Sequence, residues 1–147
     1  MFSGSYPLTI DDKGRLAIPA RYRQELADSC HSQLFITRGP KPCLEIYPAH
    51  EFQKLADQIE AMEDREMADY LNERLIGSAH DVEIDKQGRV LLPGILRKHA
   101  RLDGAAVLVG AIRRFELWAE DLWNERFGED SPDKAAILKD AFRTLKR

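Results

Sequence analysis

Asp11-Asp12-Lys13-Gly14-Arg15-Leu16-Ala17-Ile18-Pro19-Ala20-Arg21-Tyr22-Arg23 returns later in the chain as Asp85-Lys86-Gln87-Gly88-Arg89-Val90-Leu91-Leu92-Pro93-Gly94-Ile95-Leu96-Arg97. Asp, Gly, Arg, Pro and the final Arg coincide at an offset of 74. Apolar positions coincide as well: Leu8 and Ile10 fall on Val82 and Ile84, and Leu16 and Ile18 on Val90 and Leu92. The chain therefore reads as a tandem duplication. Outward from the turn, Leu34-Phe35-Ile36 aligns with Val107-Leu108-Val109 at an offset of 73, and Leu44-Glu45-Ile46-Tyr47 with Phe115-Glu116-Leu117-Trp118 at 71. Each half offers about four short strand-like runs and then a polar helix. One half alone is too small to bury an adequate core, because small domains bury a lower fraction of their surface. Two fused halves can share one core, whereas two repeats are too few for a solenoid or propeller.

The local patterns predict the elements. Tyr6-Pro7-Leu8-Thr9-Ile10 alternates, and Leu16-Ala17-Ile18 resumes the alternation after Gly14, which predicts a hairpin with glycine free to take positive φ. Residues 80–84 and 90–92 read the same way around Gly88. Pro19 and Pro93 end these strands where a helix can begin, with Tyr22 and Leu26, and Leu96 and Ala100, facing the core. Strands follow at 33–37 and 44–48, and at 106–110 and 115–118. Residues 49–75 carry Phe52, Leu55, Ile59, Met62, Tyr70, Leu71 and Leu75 at helical spacing, predicting an amphipathic helix broken around 62–65. Ser131-Pro132 caps a C-terminal helix whose stripe is Ala135, Leu138, Phe142 and Leu145. Both stripes are expected to pack on the sheet, the alternative being a subunit interface.

Composition narrows the function. With 147 residues and 44% hydrophobic content the chain fits one compact unit, and no apolar run approaches the ~20 residues of a membrane span. The start, Met1-Phe2-Ser3-Gly4-Ser5, lacks the basic and apolar regions of a signal peptide, so a soluble cytoplasmic protein is expected. Cys30 and Cys43 have neither zinc-ligand spacing nor a partner pair and are expected as reduced structural thiols. His31, His50, His80 and His99 are scattered, with no two on one helix face at i, i+4. No metal, cofactor, catalytic residue or small-molecule substrate is expected, because an active site needs several such groups converging.

The net charge of −3 argues against a nucleic-acid partner, but its distribution argues for one. Residues 11–23 carry +2 and residues 85–101 carry +4, leaving −9 elsewhere, of which −5 lies in residues 50–75. Positive charge is thus confined to the duplicated segments, and a local patch matters more to binding than the total. Within the turn, Asp11 and Asp85 are explained as acceptors for backbone amides, and Gly14 and Gly88 as turn residues. Arg15 and Arg89 have no evident turn role, and a planar fork of donors suits phosphate oxygens or a guanine edge. The plain alternative is that each pairs with a neighbouring acid. A two-stranded ribbon also fits the DNA major groove. For Arg23 and Arg97, an ion pair or carbonyl contact and a phosphate contact both stand open.

The first copy, Asp11-x-Lys13-Gly14-Arg15-Leu16-x-Ile18-Pro19-x-x-Tyr22-Arg23, resembles the Asp-x-Lys-Gly-Arg signature of the MraZ family of bacterial transcriptional regulators. The second copy, the Leu44–Pro48 and 115–118 runs and the Met1-Phe2 start extend the resemblance over nearly the whole chain. It implies an α+β, mainly β fold: a pseudo-symmetric swapped-hairpin AbrB-like β-barrel made by one chain, with flanking helices. The first AbrB-like repeat would span 5–50, a helical connector 51–76, the second repeat 77–120 and a C-terminal helical segment 121–147. It also implies ring-shaped homo-oligomers that bind double-stranded DNA at short direct repeats, in the promoter of the division and cell-wall gene cluster, usually as a repressor. Cytoplasmic, nucleoid-associated localisation without a membrane partner goes with this. DNA contact carries over to Lys13, Arg15, Lys86 and Arg89. The second copy departs from the signature, with Gln87 where Lys13 stands and its lysine shifted by one residue. Side chains alternate along a strand, so Lys86 is expected to point elsewhere than Lys13. The competing readings are an AbrB-type antitoxin that neutralises a small toxin, an enzyme, and a structural module acting through residues 50–75.

Overall fold

A computed structural model of the chain describes residues 1–128 and 130–147; Glu129, inside the expected C-terminal segment, lies outside the described residues. Strands β1 (Ser5–Thr9), β2 (Arg15–Ala17), β3 (Gln33–Arg38) and β4 (Leu44–Pro48) are repeated as β5 (His80–Glu83), β6 (Arg89–Leu91), β7 (Ala105–Gly110) and β8 (Phe115–Ala119). Helix α1 (Ala20–Cys30) follows β2, and α4 (Gly94–His99) follows β6. Pro19 and Pro93 occupy the N-cap position of these helices, one residue earlier than a first-turn proline. Between the halves run α2 (Ala49–Ala61), α3 (Arg65–Leu71) and a π-helical turn (Asn72–Ile76). The break falls at Met62–Asp64 as its charge-rich sequence suggests, with the Asp64 carboxylate accepting the Met67 N–H at 3.1 Å. After β8 come α5 (Glu120–Phe127) and α6 (Pro132–Thr144), the latter capped by Ser131 with Pro132 in its first turn.

The strand pairing corrects the expectation of two local hairpins. β1 does not ladder with β2; it pairs antiparallel with β7, while β5 pairs with β3. The two short strands that leave the turns, β2 and β6, pair with each other across the duplication. One sheet therefore runs β1-β7-β8-β4-β3-β5, symmetric about its centre, and β2-β6 forms a separate ribbon. The ladders do not close into a barrel. β1 and β5 remain edge strands, because Pro19 and Pro93 end β2 and β6 after three residues, too soon to reach the sheet edges as continuous ladders.

Register also revises one alignment. Leu8 faces Ala106 and Val82 faces Leu34, so β3 and β7 correspond at an offset of 72 rather than 73. The counterpart of Leu34-Phe35-Ile36 is Ala106-Val107-Leu108. One residue of slip exchanges the faces of a strand, and burial agrees: Leu34, Ile36, Ala106 and Leu108 all belong to the central core, whereas Phe35 stacks outward on Phe52.

The core lies between the sheet and the layer made of the ribbon, α1 and α4. Leu16, Ile18, Val90 and Leu92 meet Tyr22, Leu26, Leu96 and Ala100 over Leu44, Ile46, Phe115 and Leu117. On the outer face, α2 covers β3 and β4, and α5 covers β7 and β8, where Trp118 meets Trp123 at 6.1 Å between centroids. There Glu45 and Glu116 stand opposite each other on β4 and β8, both buried. Tyr47 donates to Glu45 at 2.6 Å, and Trp118 and Lys41 donate to Glu116 at 3.1 and 3.0 Å. Burial pushes the Glu116 carboxyl upward, but the donors Lys41 and Trp118 and the charge of Arg114 together hold it below its ordinary value.

The helical stripes divide. Phe52 and Ile59 of α2 are buried, but Tyr70 is 66% exposed, and the α6 stripe stays open, with Leu138 at 51% and Phe142 at 42%. Packing of α6 on the sheet is thus overturned: α5 already covers the outer face of β7 and β8.

Because all four strands of each half pair with a strand of the other half, residues 1–76 expressed alone should aggregate or form an exchanged homodimer. Light scattering with an amide NMR spectrum checks this, and a dispersed, stable monomer would contradict it.

Candidate nucleic-acid interface

Each duplicated turn is built on its aspartate. Asp11 Oδ1 accepts the backbone N–H of Lys13 at 3.0 Å and of Arg15 at 2.8 Å, while the Gly14 N–H donates to the Asp11 carbonyl at 3.0 Å. Asp85 does the same for Gln87 and Arg89, both at 2.9 Å, with Gly88 closing on its carbonyl at 2.9 Å. Gly14 and Gly88 take φ of 83° and 79°, which a side chain disfavours. The structural reading of Asp11, Gly14, Asp85 and Gly88 accounts for their positions.

The arginines are not free of the turn, contrary to the sequence reading. Arg15 Nε donates to Asp11 Oδ2 at 2.7 Å, and Arg89 Nε to Asp85 Oδ2 at 3.4 Å. A carboxylate has two oxygens, so one organises the backbone while the other holds the guanidinium by its inner edge. The terminal nitrogens of Arg15 have no hydrogen-bond partner among the described residues, whereas Arg89 Nη2 is hydrogen-bonded to Gln87 Oε1. Asp11 and Asp85 are both held below the usual carboxylate value, chiefly by the backbone N–H of Arg15 and of Arg89 respectively. Lys13 is exposed, and Lys86 is exposed at the place equivalent to Asp12.

Arg23 and Arg97 make the carbonyl contact that the sequence left open beside a phosphate contact, and add a contact across the copies that the sequence did not reveal. Arg23 Nε donates to the Ile18 carbonyl at 2.7 Å, and Arg97 Nε to the Leu92 carbonyl at 3.3 Å. Their guanidinium groups then lie against the glycine of the other copy's loop. A Cβ on Gly88 would stand 2.5 Å from Arg23 Cζ, and one on Gly14 would stand 2.7 Å from Arg97 Cζ. The backbone crosses similarly, since Ile18 N–H donates to Gly88 O and Leu92 N–H to Gly14 O, both at 2.9 Å. Each glycine is needed for its φ and for this approach. The repetition of Arg23 and Arg97 behind the prolines was the available signal.

The ribbon brings the two loops onto one surface. Arg15 faces Leu91 and Ala17 faces Arg89, with Leu16 opposite Val90 between them. Leu16 and Val90 point into the core, so Arg15, Ala17, Arg89 and Leu91 share the outer face. Arg15 and Arg89 are diagonal neighbours, a relation that places Cα atoms about 7–8 Å apart. Lys13 stands beside this pair.

The sequence profile of the MraZ family, described as "MraZ protein, putative antitoxin-like", matches residues 1–73 and again 75–144. The chain belongs to the MraZ family. Relatives from Pseudomonas putida and Pseudomonas entomophila, each named Transcriptional regulator MraZ, are 44% identical over 139 residues, covering 93% of this chain and 90% of theirs. One from Pseudomonas aeruginosa with the same name is 44% identical over 126 residues, covering 84% and 83%.

Each of the two MraZ matches contains one complete Asp-Gly-Arg loop. Elsewhere, no group of three or more His, Cys, Asp or Glu among the described residues is arranged to hold a metal ion. Cys30 and Cys43 are buried and unpaired, and burial, with Glu116 and Glu45 nearby, pushes the Cys43 thiol up to about 12.

A folded-state pKa below the unfolded value stabilises the loop above the unfolded pKa, and that contribution disappears as pH falls through the folded one. Both loops should therefore keep their geometry from neutral pH down to about 4 and open only below that. Carboxyl carbon NMR checks this: Asp11 and Asp85 should titrate below 3.8, and midpoints at or above that value would contradict the clamp.

Proposed function

We propose that this MraZ-family chain is a sequence-specific DNA-binding transcriptional regulator that reads double-stranded DNA with the outer face of the β2-β6 ribbon. Lys13, Arg15 and Arg89 make the contacts and Lys86 a peripheral one. The observation that carries this reading is the placing of Arg15 and Arg89 on one exposed face, Arg15 held at Nε with its terminal nitrogens free. A bidentate arginine needs those two outer donors for a guanine edge or a phosphate. The printed names of the relatives supply the regulatory part of the proposal.

The finer reading is repression at short direct repeats before the division and cell-wall genes, by a cytoplasmic, nucleoid-associated protein. Strand exchange between the halves supports a swapped-hairpin relation, with repeats at 5–50 and 77–120, a connector at 51–76 and a C-terminal segment at 121–147. A ring-shaped homo-oligomer is supported by unpartnered apolar surface. The exposed α6 stripe is one such surface. Another is a groove of about 560 Å³ lined by Leu55, Ile59, Met62, Leu71 and Leu75. No helix among the described residues is long and apolar enough to cross a membrane.

Arg15→Ala should abolish specific binding in a gel shift with the gene's own upstream DNA. One lost base-reading contact costs about 1–3 kcal/mol, and the loss repeats in every subunit of a ring. The half-buried ion pair with Asp11 contributes little to the fold, and Asp11 keeps its bonds to the backbone amides, so circular dichroism and solution mass should be unchanged. Unaltered affinity would remove the loop as the reader.

Affinity should also rise steeply with repeat number at fixed salt. With about one to three cations per loop, and a slope near −0.9 in log affinity per phosphate neutralised, one protomer binds too weakly at physiological salt. Adjacent protomers supply the rest through effective concentration. A single repeat bound as tightly as three or four would contradict this.

A further inference from the structure

The duplicated halves are not equally filled. In the first, Phe2, Tyr6 and Tyr22 pack edge to face, with centroids 5.2 Å apart for Phe2 and Tyr22 and 5.9 Å for Tyr6 and Tyr22. The Tyr22 hydroxyl donates to the Ser3 carbonyl at 2.7 Å, which fixes the cluster against the N-terminal segment. At the offset of 74 the same three places hold Ile76, His80 and Leu96. Gly110 of the first cluster's neighbourhood touches the backbone of Phe2 and Ser3, and its counterpart by strand register is Arg38. Two six-membered rings give way to aliphatic side chains and the third to the smaller imidazole of His80, and beside them lies a cavity of about 310 Å³.

The lining of this cavity is cationic and unsatisfied. Arg38, Arg74, Ser78, His80 and His99 contribute polar groups, with Glu73 the one acid among the lining residues. Neither arginine forms an ion pair with an acid among the described residues. Arg38 Nε and His99 Nε2 are buried without any hydrogen-bond partner, which native interiors rarely leave unexplained. Arg74 Nη2 reaches only the Gly39 carbonyl, at 3.2 Å. Burial, and then the charges of Arg38 and Arg74, hold His99 below the ordinary imidazole value. Glu73, Arg74 and Gly77 reach the cavity from the π-helical turn, a rare local structure that often marks functional sites. A Cβ on Gly77 would lie 2.5 Å from the Glu73 carbonyl oxygen, so the turn depends on glycine there.

We infer that this cavity is a binding site for a small phosphomonoester, its phosphate held by Arg38, Arg74 and His99 and its organic part lying against Leu96 and Ile95. Arginine forks match phosphate oxygens in pairs. The volume lies at the lower end of the range for small-molecule pockets, enough for a phosphate and one ring system. The site is separate from the loops and independent of how they meet DNA. It would make this protein responsive to a phosphorylated metabolite as well as to a promoter.

Calorimetry on the full chain tests this with inorganic phosphate, glucose 6-phosphate and AMP, using glucose and adenosine as controls. Saturable binding of phosphate is expected, with at least one ester binding at least tenfold more tightly than its unphosphorylated control. The double variant Arg38→Gln, Arg74→Gln should lose at least tenfold in affinity for phosphate and for that ester. If that variant does not fold, His99→Asn provides the same comparison. Arg15→Ala should bind phosphate as the wild type does, separating the cavity from the cationic loops. Absence of saturable binding at millimolar phosphate would overturn the site, as would equal affinity for both esters and their controls. Loss of phosphate binding in Arg15→Ala but not in the cavity variants would also overturn it.

Discussion

Leu16 and Val90 lie opposite each other at the midpoint of the ribbon, both fully buried, and every other feature of the molecule is arranged about that contact. Burying such a side chain contributes about 1.5–3 kcal/mol, a sizeable part of the roughly 5–15 kcal/mol by which domains are stable. Pairing these two residues obliges β2 and β6 to come from different copies. Once they do, the Ile18 and Leu92 N–H groups donate to the loop glycine carbonyls of the other half. Arg23 and Arg97 then pack on those same glycines. The loops that carry the exposed cations are in this way part of the core's hydrogen bonding, although their tips face solvent.

The aspartate clamp makes the two loops similar in backbone but different in what they offer. In the first, a short Arg15–Asp11 bond leaves two guanidinium nitrogens and Lys13 available. In the second, the Arg89–Asp85 bond is longer, and Gln87 engages one of the terminal nitrogens. The cation of the third loop position, Lys13, is thus replaced in the second copy by Gln87, which occupies part of Arg89, while Lys86 carries a cation at the second position, where the first copy has Asp12. Both loops retain the turn geometry that the ribbon needs.

Much of this was legible in the residues, and the failures have physical causes. The repeat exposed the shared core because the same apolar positions recur, and the break at Met62–Asp64 and the Ser131 cap were visible as local chemistry. Strand exchange was not, because the alternation in residues 6–18 is the same whether β1 pairs with β2 or with β7. Register failed at β3 and β7 for a related reason. Both strands are buried on two faces, so Val107 is as apolar as its neighbours and the sequence carries no polar mark of the outer side. At the loops, charge singles out Lys13 and Arg15 and leaves pairing with a neighbouring acid as the alternative, but it does not show the Asp11–Arg15 bond as part of the turn. That bond depends on the second carboxylate oxygen after the first is committed to backbone amides.

Symmetry decides how such a molecule can meet repeated DNA. Equivalent residues pair across the ribbon, Leu16 with Val90, and across the sheet, Glu45 with Glu116, so the two loops are related by a local twofold axis. A twofold pair of readers matches inverted half-sites. Direct repeats have no such axis; they are related by translation and helical rotation along the duplex. Two equivalent loops of one protomer would address a direct repeat with opposite polarity, and only one could be in register. For the proposed direct-repeat target, the difference between Lys13 and Gln87 would relieve this conflict by making the loops inequivalent. On that reading one protomer would address one repeat, and the translational relation would have to come from neighbouring protomers rather than from the internal duplication. The duplication supplies the ribbon, and in the proposed homo-oligomer the apolar surfaces left open on α2, α3 and α6 would supply the spacing.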